Sequence, residues 1–217
     1  MPDPGRADRG RSDYLRVFEA EDARPTGGPE LALLIASAEH PEPVVRRAAV
    51  RALGRLEEPA HRAVIAGRLA DPAPSVRAAA ALALAQSANG RDGTTVLEPL
   101  LERAPRENDP TARGALARAL GRLRLPAADR ERALEAVLVL GRRLGSGPGG
   151  EAPAQTLVGV ATALDALLGA GEDEGVDLAT ATRLEELFAY GRGAPADTPA
   201  AAEAARVRAL ALSALGP

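Results

Sequence analysis

The sequence contains no cysteine, no tryptophan and no lysine. Without cysteine there is no disulfide framework, no thiol chemistry and no zinc-thiolate site. Aromatic residues amount to 2%, namely Tyr14, Phe18, Phe188 and Tyr190. The interior therefore cannot draw its volume from rings, and Ala, Leu and Val must fill it. Small side chains suit closely stacked helices and argue against a β-sandwich, which wants β-branched and aromatic residues. Without lysine, all 27 basic side chains are arginine. With abundant Ala, Gly and Pro, this reads as the coding bias of a GC-rich genome. Its physical consequence is that every cation is a planar fork suited to carboxylates.

Long apolar runs are missing too. Met1–Asp13 is polar, carries Arg6, Arg9 and Arg11, and is followed by no apolar segment. No signal peptide and no membrane span is read here. The expected compartment is the cytoplasm, or outside it if an N-terminal signal has been removed. The net charge is -3 with acids and bases interleaved. A nucleic-acid binder usually shows a basic stripe, and an enzyme that extrudes a base needs a basic groove and aromatic platforms. Nucleic acid is not an expected partner.

What is present is a chain of 217 residues, 46% hydrophobic, which supports one sizeable core or one elongated array. Residues 1–11, rich in Pro, Gly, Asp and Arg, are expected to be a disordered tail. Ser12 is placed to cap a short helix with Tyr14, Leu15 and Phe18, which Arg24–Pro29 ends. A second helix is expected over Pro29–Glu39.

From His40 the chain repeats itself. His40-Pro41-Glu42-Pro43-Val44-Val45-Arg46 leads to Leu53-Gly54, Asp71-Pro72-Ala73-Pro74-Ser75-Val76-Arg77 leads to Leu84, and Asp109-Pro110-Thr111-Ala112-Arg113 leads to Leu120-Gly121. A last copy runs Val207-Arg208 to Leu215-Gly216. The spacing is 31 residues from Val45 to Val76, 36 to Ala112 and then 95 to Val207, with Leu157–Gly169 as a degenerate unit in the gap. A polar residue before Pro is placed to cap the helix, and Gly54 and Gly121 are placed for a left-handed cap at its end.

Between the copies lie second helices with apolar residues at three- and four-residue spacing. They are expected over Glu58–Ala70, Thr94–Ala104, Asp129–Leu144 and Leu178–Tyr190, with Pro99 predicting a kink or a late start. The organisation read is a tail at 1–11, a regular array with capping helices at 12–144, a Gly/Pro linker at 145–153, and degenerate repeats at 154–217 that continue in a longer protein. The fold class is all-α, a solenoid of stacked antiparallel helix pairs.

The pattern Pro-x-Val-Arg-x-x-Ala-x-x-Ala-Leu-Gly at Pro43–Gly54, with its two further copies, resembles the HEAT-repeat family over roughly residues 29–144, and more weakly to 217. The short spacing is similar to its HEAT-like, phycobilisome-lyase-type branch. The resemblance implies a solenoid with the second helices lining a concave face. A narrower likeness, carried by Phe18–Thr26 and the Val45–Gly54 copy, is to the N-terminal HEAT region of bacterial cyclophilin-type peptidyl-prolyl isomerases, although nothing in the chain looks like a cyclophilin barrel.

No constellation carries chemistry. His40 takes the capping slot that Asp71 and Asp109 hold in the other copies, His61 sits near the start of a second helix in water, and the two form no His-x-x-x-His or His-Glu pair. Gly145–Gly150 lacks the Lys-Ser/Thr of a phosphate loop. Glu172-Asp173-Glu174 with Asp177 reads as a solvated loop. No catalytic residue, metal ligand or cofactor is expected. Arg46, Arg77, Arg113 and Arg208 recur at one repeat position, either as an anion ladder or as inter-repeat partners of Asp71 and Asp109. The expected function is a non-catalytic scaffold that binds another protein through the second helices, with His61, Arg62, Arg68, Glu98, Glu102, Arg103, Arg130, Glu131, Glu135 and Arg183 as contacts. The rivals are an accessory domain of a cyclophilin-type isomerase and a bilin-lyase-like chaperone.

Overall fold

The computed structural model describes residues 4–88, 93–142 and 154–169, together with the single residues Thr182, Glu185, Ala205, Val207 and Ala209. Among the described residues there is helix and no strand. Nine α-helices are described: α1 Pro4–Asp22, α2 Gly28–Ser37, α3 Pro43–Arg55, α4 Arg62–Gly67, α5 Pro74–Ser87, α6 Thr94–Arg103, α7 Pro110–Gly121, α8 Ala127–Arg142 and α9 Ala154–Gly169. The chain divides into two compact units, Met1–Arg91 and Asp92–Pro217. That boundary falls inside the span 12–144 read from sequence as one array.

In the first unit α3 packs along α5 and, on its other side, along α1, while α2 and α4 are the shorter partner helices. Each long helix starts on a proline, Pro43 in α3 and Pro74 in α5. The fixed φ of proline suits a first turn and its missing N–H would have no partner there. Val45, Ala49, Val50, Leu53, Val76, Ala80 and Leu84 are buried, at the three- and four-residue spacing that puts them on one face. Each leucine shielded this way contributes about 1.5–3 kcal/mol.

The second unit repeats the scheme, with α7 along α9 as its most extensive contact and α8 against both. The glycines fix how closely these long helices approach. A Cβ on Gly54 would stand 2.6 Å from the Ala83 Cβ, and one on Gly121 would stand 2.7 Å from the Ala163 Cα. These matching contacts give α9 its register. Ala163 stands where Ala83 does, so Leu164 matches Leu84, both essentially inaccessible, and Leu157 takes the place of the recurring arginine.

Several expectations are corrected. Helix α1 begins at Pro4, so residues 4–11 are helix instead of disordered tail. Gly54 and Gly121 end no helix in the left-handed region. That conformation falls on Glu57, φ 57°, and among the described glycines only Gly28 has a positive φ. Asp71 and His40 are not N-caps either. The N-cap residues are Glu42 and Ala73, two positions later, without a capping side chain. The helix expected over Glu58–Ala70 is broken into a 3-10 turn at Pro59–His61, α4, and a second 3-10 turn at Arg68–Ala70. Pro99 lies inside α6, which starts at Thr94, so it does not delay the helix. The expected helix at Leu178–Tyr190 and the last copy at Val207–Gly216 lie outside the continuously described residues.

Candidate functional site

Of the recurring arginines, Arg46 and Arg113 are buried and Arg77 is half-buried. Arg46 is buried in α3 and donates twice to Asp71, from Nε to Oδ2 at 2.7 Å and from Nη2 to Oδ1 at 2.7 Å. Its Nη1 donates to the carbonyls of His40 and Pro41 at 2.8 and 2.9 Å. One guanidinium thus fastens the turn before its own helix and the turn before the next. Arg77 repeats the local half, donating from Nη1 to the carbonyls of Asp71 and Pro72 at 2.9 and 3.2 Å. Arg113 donates to the carbonyl of Leu140 in the last turns of α8, a place where a cation completes open carbonyls and favours the helix dipole. Arg208 lies outside the described residues.

The electrostatics of the pair follow from this geometry. The hydrogen bond to Asp71 holds the Arg46 guanidinium above its ordinary range, against burial, with the charges of Asp71 and Glu42 adding to it. Burial pushes the Asp71 carboxyl up. The bonds from Arg46 and the Ala73 N–H, with the charges of Arg46 and Arg68, outweigh burial and hold it below the ordinary range. With four of its five N–H donors on carboxylate and carbonyls and the side chain buried, Arg46 offers no free fork to an outside anion.

The slot six residues before each arginine has one job. Asp71 Oδ1 accepts from the Ala73 N–H at 2.9 Å, and His40 Nδ1 accepts from the Glu42 N–H at 3.0 Å. In the third copy this slot is Glu107. It is fully buried, its Oε1 accepts from the N–H groups of Asn108 and Asp109 at 3.0 and 2.9 Å, and its Oε2 takes Arg103 Nε and Nη2 at 3.1 and 2.9 Å. Asp109, named from sequence for the ladder, is instead the N-cap of α7 and accepts from the Ala112 N–H at 2.9 Å. The Asp-Pro dipeptide drew the eye to Asp109. The constant interval His40–Arg46, Asp71–Arg77 and Glu107–Arg113 was the signal that would have found Glu107.

The ten residues named for the second-helix surface separate into three kinds. His61 is buried in the turn before α4, not in water, because the short 3-10 entry turns it inward. Arg62 donates to the Ser87 carbonyl at 2.8 Å, Arg68 meets the Ala38 carbonyl at 3.4 Å and Glu39 at 3.3 Å, and Arg103 serves Glu107. These hold the fold. Arg130 is half-buried, and Arg183 lies outside the described residues. The third kind is carboxylate. Glu98 on α6 pairs with Arg132 on α8 at 2.5 Å, and Arg132 also meets Asp129 at 3.1 Å. Those bonds to Glu98 and then Asp129 hold the Arg132 guanidinium above its ordinary range. Glu102 on α6, with Glu131 and Glu135 on α8, is exposed and has no hydrogen bond or ion pair among the described residues. Glu98 and Glu102, like Glu131 and Glu135, are four apart and so share a helix face.

Among the described residues no group of three or more His, Cys, Asp or Glu gathers to hold a metal ion, and no described helix is long and apolar enough to cross a membrane.

Residues 31–121 match the family model for HEAT repeats. A solved structure similar to this chain is the crystal structure of the archaeal HEAT-like repeats protein from Thermococcus onnurineus NA1, at 14% identity over 100% of both chains with a TM-score of 0.43. No curated protein matches.

Proposed function

We propose, from the match of residues 31–121 to the family model for HEAT repeats, that the protein is a non-catalytic scaffold whose partner is another protein. The surface is the α6–α8 face of the second unit, and the partner segment is basic. The observation that carries this reading is the unequal use of charge. Arg46, Arg103 and Glu107 are spent on holding turns and helices together, while Glu102, Glu131 and Glu135 stand exposed and unpaired among the described residues. Free carboxylates on neighbouring helices steer a cationic partner and set its orientation more than they set raw affinity. They do so at a modest cost to the fold, because exposed pairs contribute only about 0–1 kcal/mol.

The test is quantitative capture from a host lysate by the whole chain and by the E102R/E131R/E135R variant. The scaffold reading expects one or more proteins retained by the first, released by salt, and lost with the second at unchanged helicity by circular dichroism. Equal retention by both would remove this face from the function. Retention of nothing by either would remove the scaffold reading.

A further inference from the structure

Helix α1 has two opposite faces. Its inner face is fastened to the first unit by Val17 and Ala20, both buried, by Asp13 against His40 at 3.1 Å and by Glu21 against Arg55. Its outer face carries Leu15 at 53% exposure, Phe18 at 52% and Tyr14 at 37%. Tyr14 and Phe18 are two of the four aromatic residues in the chain, both exposed on this face. Large apolar residues gathered on one exposed helix face mark a contact surface.

The order of residues along the stripe identifies what it contacts. Reading along one side, it runs Arg11, Tyr14, Leu15, Phe18, Glu19, Asp22: basic at one end, apolar in the middle, acidic at the other. Arg11, Glu19 and Asp22 have no ion-pair partner among the described residues. Turned end for end about the midpoint between Arg16 and Val17, the stripe is complementary to itself. Arg11 then faces Asp22, Tyr14 faces Glu19 and Leu15 faces Phe18. A surface whose residue i meets j while j meets i is what a two-fold dimer uses.

We propose that α1 is a self-association face on which two copies of this chain pair antiparallel. Leu15 and Phe18 form the centre, Arg11–Asp22 ion pairs close both ends, and the Tyr14 hydroxyl donates to Glu19 of the other copy. The inference is independent of the acidic α6–α8 surface, which lies in the other unit. A single helix pair buries less than the roughly 800 Å² per partner of a standard stable interface. The dimer is therefore weak and concentration-dependent, with a dissociation constant of about 10 μM or weaker.

Sedimentation equilibrium of the whole chain, from about 5 μM to about 1 mM, tests this. The expected result is a reversible monomer–dimer equilibrium. F18E abolishes it, and R11E or D22R alone weakens it about tenfold or more, one decade per 1.4 kcal/mol. The double variant R11E/D22R restores it, because both pairs are remade with exchanged sign. Because the chain has no cysteine, L15C and F18C chains mixed and oxidised give a clean second readout, in which the mixed crosslink should outrun either self-crosslink. A monomer throughout the range overturns the proposal. So does a dimer indifferent to F18E, or a double variant as weak as the sum of its parts. If F18E loses helicity, the charge-exchange series and the mixed crosslink decide.

Discussion

Arg46 and Asp71 meet through two parallel 2.7 Å hydrogen bonds across 25 residues of sequence, and both side chains are almost wholly buried. The fork geometry gives registry as well as attraction, since a planar guanidinium meets a carboxylate at both oxygens only in one orientation. The same arginine also holds the His40 and Pro41 carbonyls. It therefore ties the turn before α3 to the turn before α5.

Breaking this pair from one side should be severe. D71A leaves a desolvated guanidinium beside carbonyls alone, and loss of one partner of a buried pair costs about 3–5 kcal/mol. The double variant R46M/D71L removes both charges and should cost clearly less than D71A. Urea titration of the three proteins gives the order directly. Equal losses for the single and double variants would show that packing, and not the buried charge, sets the cost.

The pair also gives a sign for pH dependence. Asp71 is held below its ordinary range in the folded chain, so the unfolded chain binds its proton first as pH falls. Its stabilisation is complete above the ordinary carboxylate range and is lost as pH drops through the lower folded value. Arg46 stays charged throughout and adds no slope. Stability measured from pH 7 down to about pH 2 should fall, and D71N should flatten part of that fall. An unchanged profile in D71N would assign the acid sensitivity to other carboxylates.

The helices were legible because the apolar residues recur at helical spacing. The expected Pro29–Glu39 is observed as Gly28–Ser37, and Asp129–Leu144 as Ala127–Arg142. The pairing of charges was less legible. Asp71 and Asp109 both precede proline, yet one binds an arginine of the previous long helix and the other caps its own. That difference depends on a two-residue change in distance from the helix start, which a dipeptide match ignores. The start of α1 at Pro4 was missed because its first turns are polar. Arginine, alanine and aspartate in that segment satisfy a helix without an apolar face to announce it. The unpaired glutamates of α6 and α8 were among the candidates, but ten residues could be narrowed to three only by knowing which arginines turn inward.

The junction between α1 and α3 carries a related device with donor and acceptor exchanged. Where α3 offers Arg46 to the acid Asp71, α1 offers the acid Asp13 to His40. H40D would set two carboxylates side by side and should destabilise the first unit. The added change D13R should recover it, by rebuilding the Arg46–Asp71 polarity. Both side chains are partly exposed, so the effect is about 1 kcal/mol or less and shrinks in high salt. Thermal denaturation of H40D, D13R and the double variant at low and high ionic strength checks this. A double variant no more stable than H40D would mean that geometry, not charge sign, matters at this junction.

Two kinds of helical glycine should respond oppositely to alanine. At Gly54 the new Cβ would stand 2.6 Å from the Ala83 Cβ and 2.7 Å from its Cα. The second of these atoms is backbone, so relief requires α3 and α5 to separate and Leu53 and Leu84 to lose contact. Overpacking of this kind costs about 1–3 kcal/mol, more than the roughly 1 kcal/mol that alanine gains over glycine inside a helix. G54A should therefore be destabilising on balance, and G54V more so. Gly67 closes α4 at φ -56°, and nothing lies within 4 Å of a Cβ there. G67A should stabilise by about 0.4–1 kcal/mol, mainly by narrowing the unfolded ensemble. Urea midpoints of the two alanine variants, measured side by side, should move in opposite directions from the parent. A shift of both in the same direction would mean that the α3–α5 approach is loose enough to admit a methyl group, and that Gly54 does not set the spacing of the repeats.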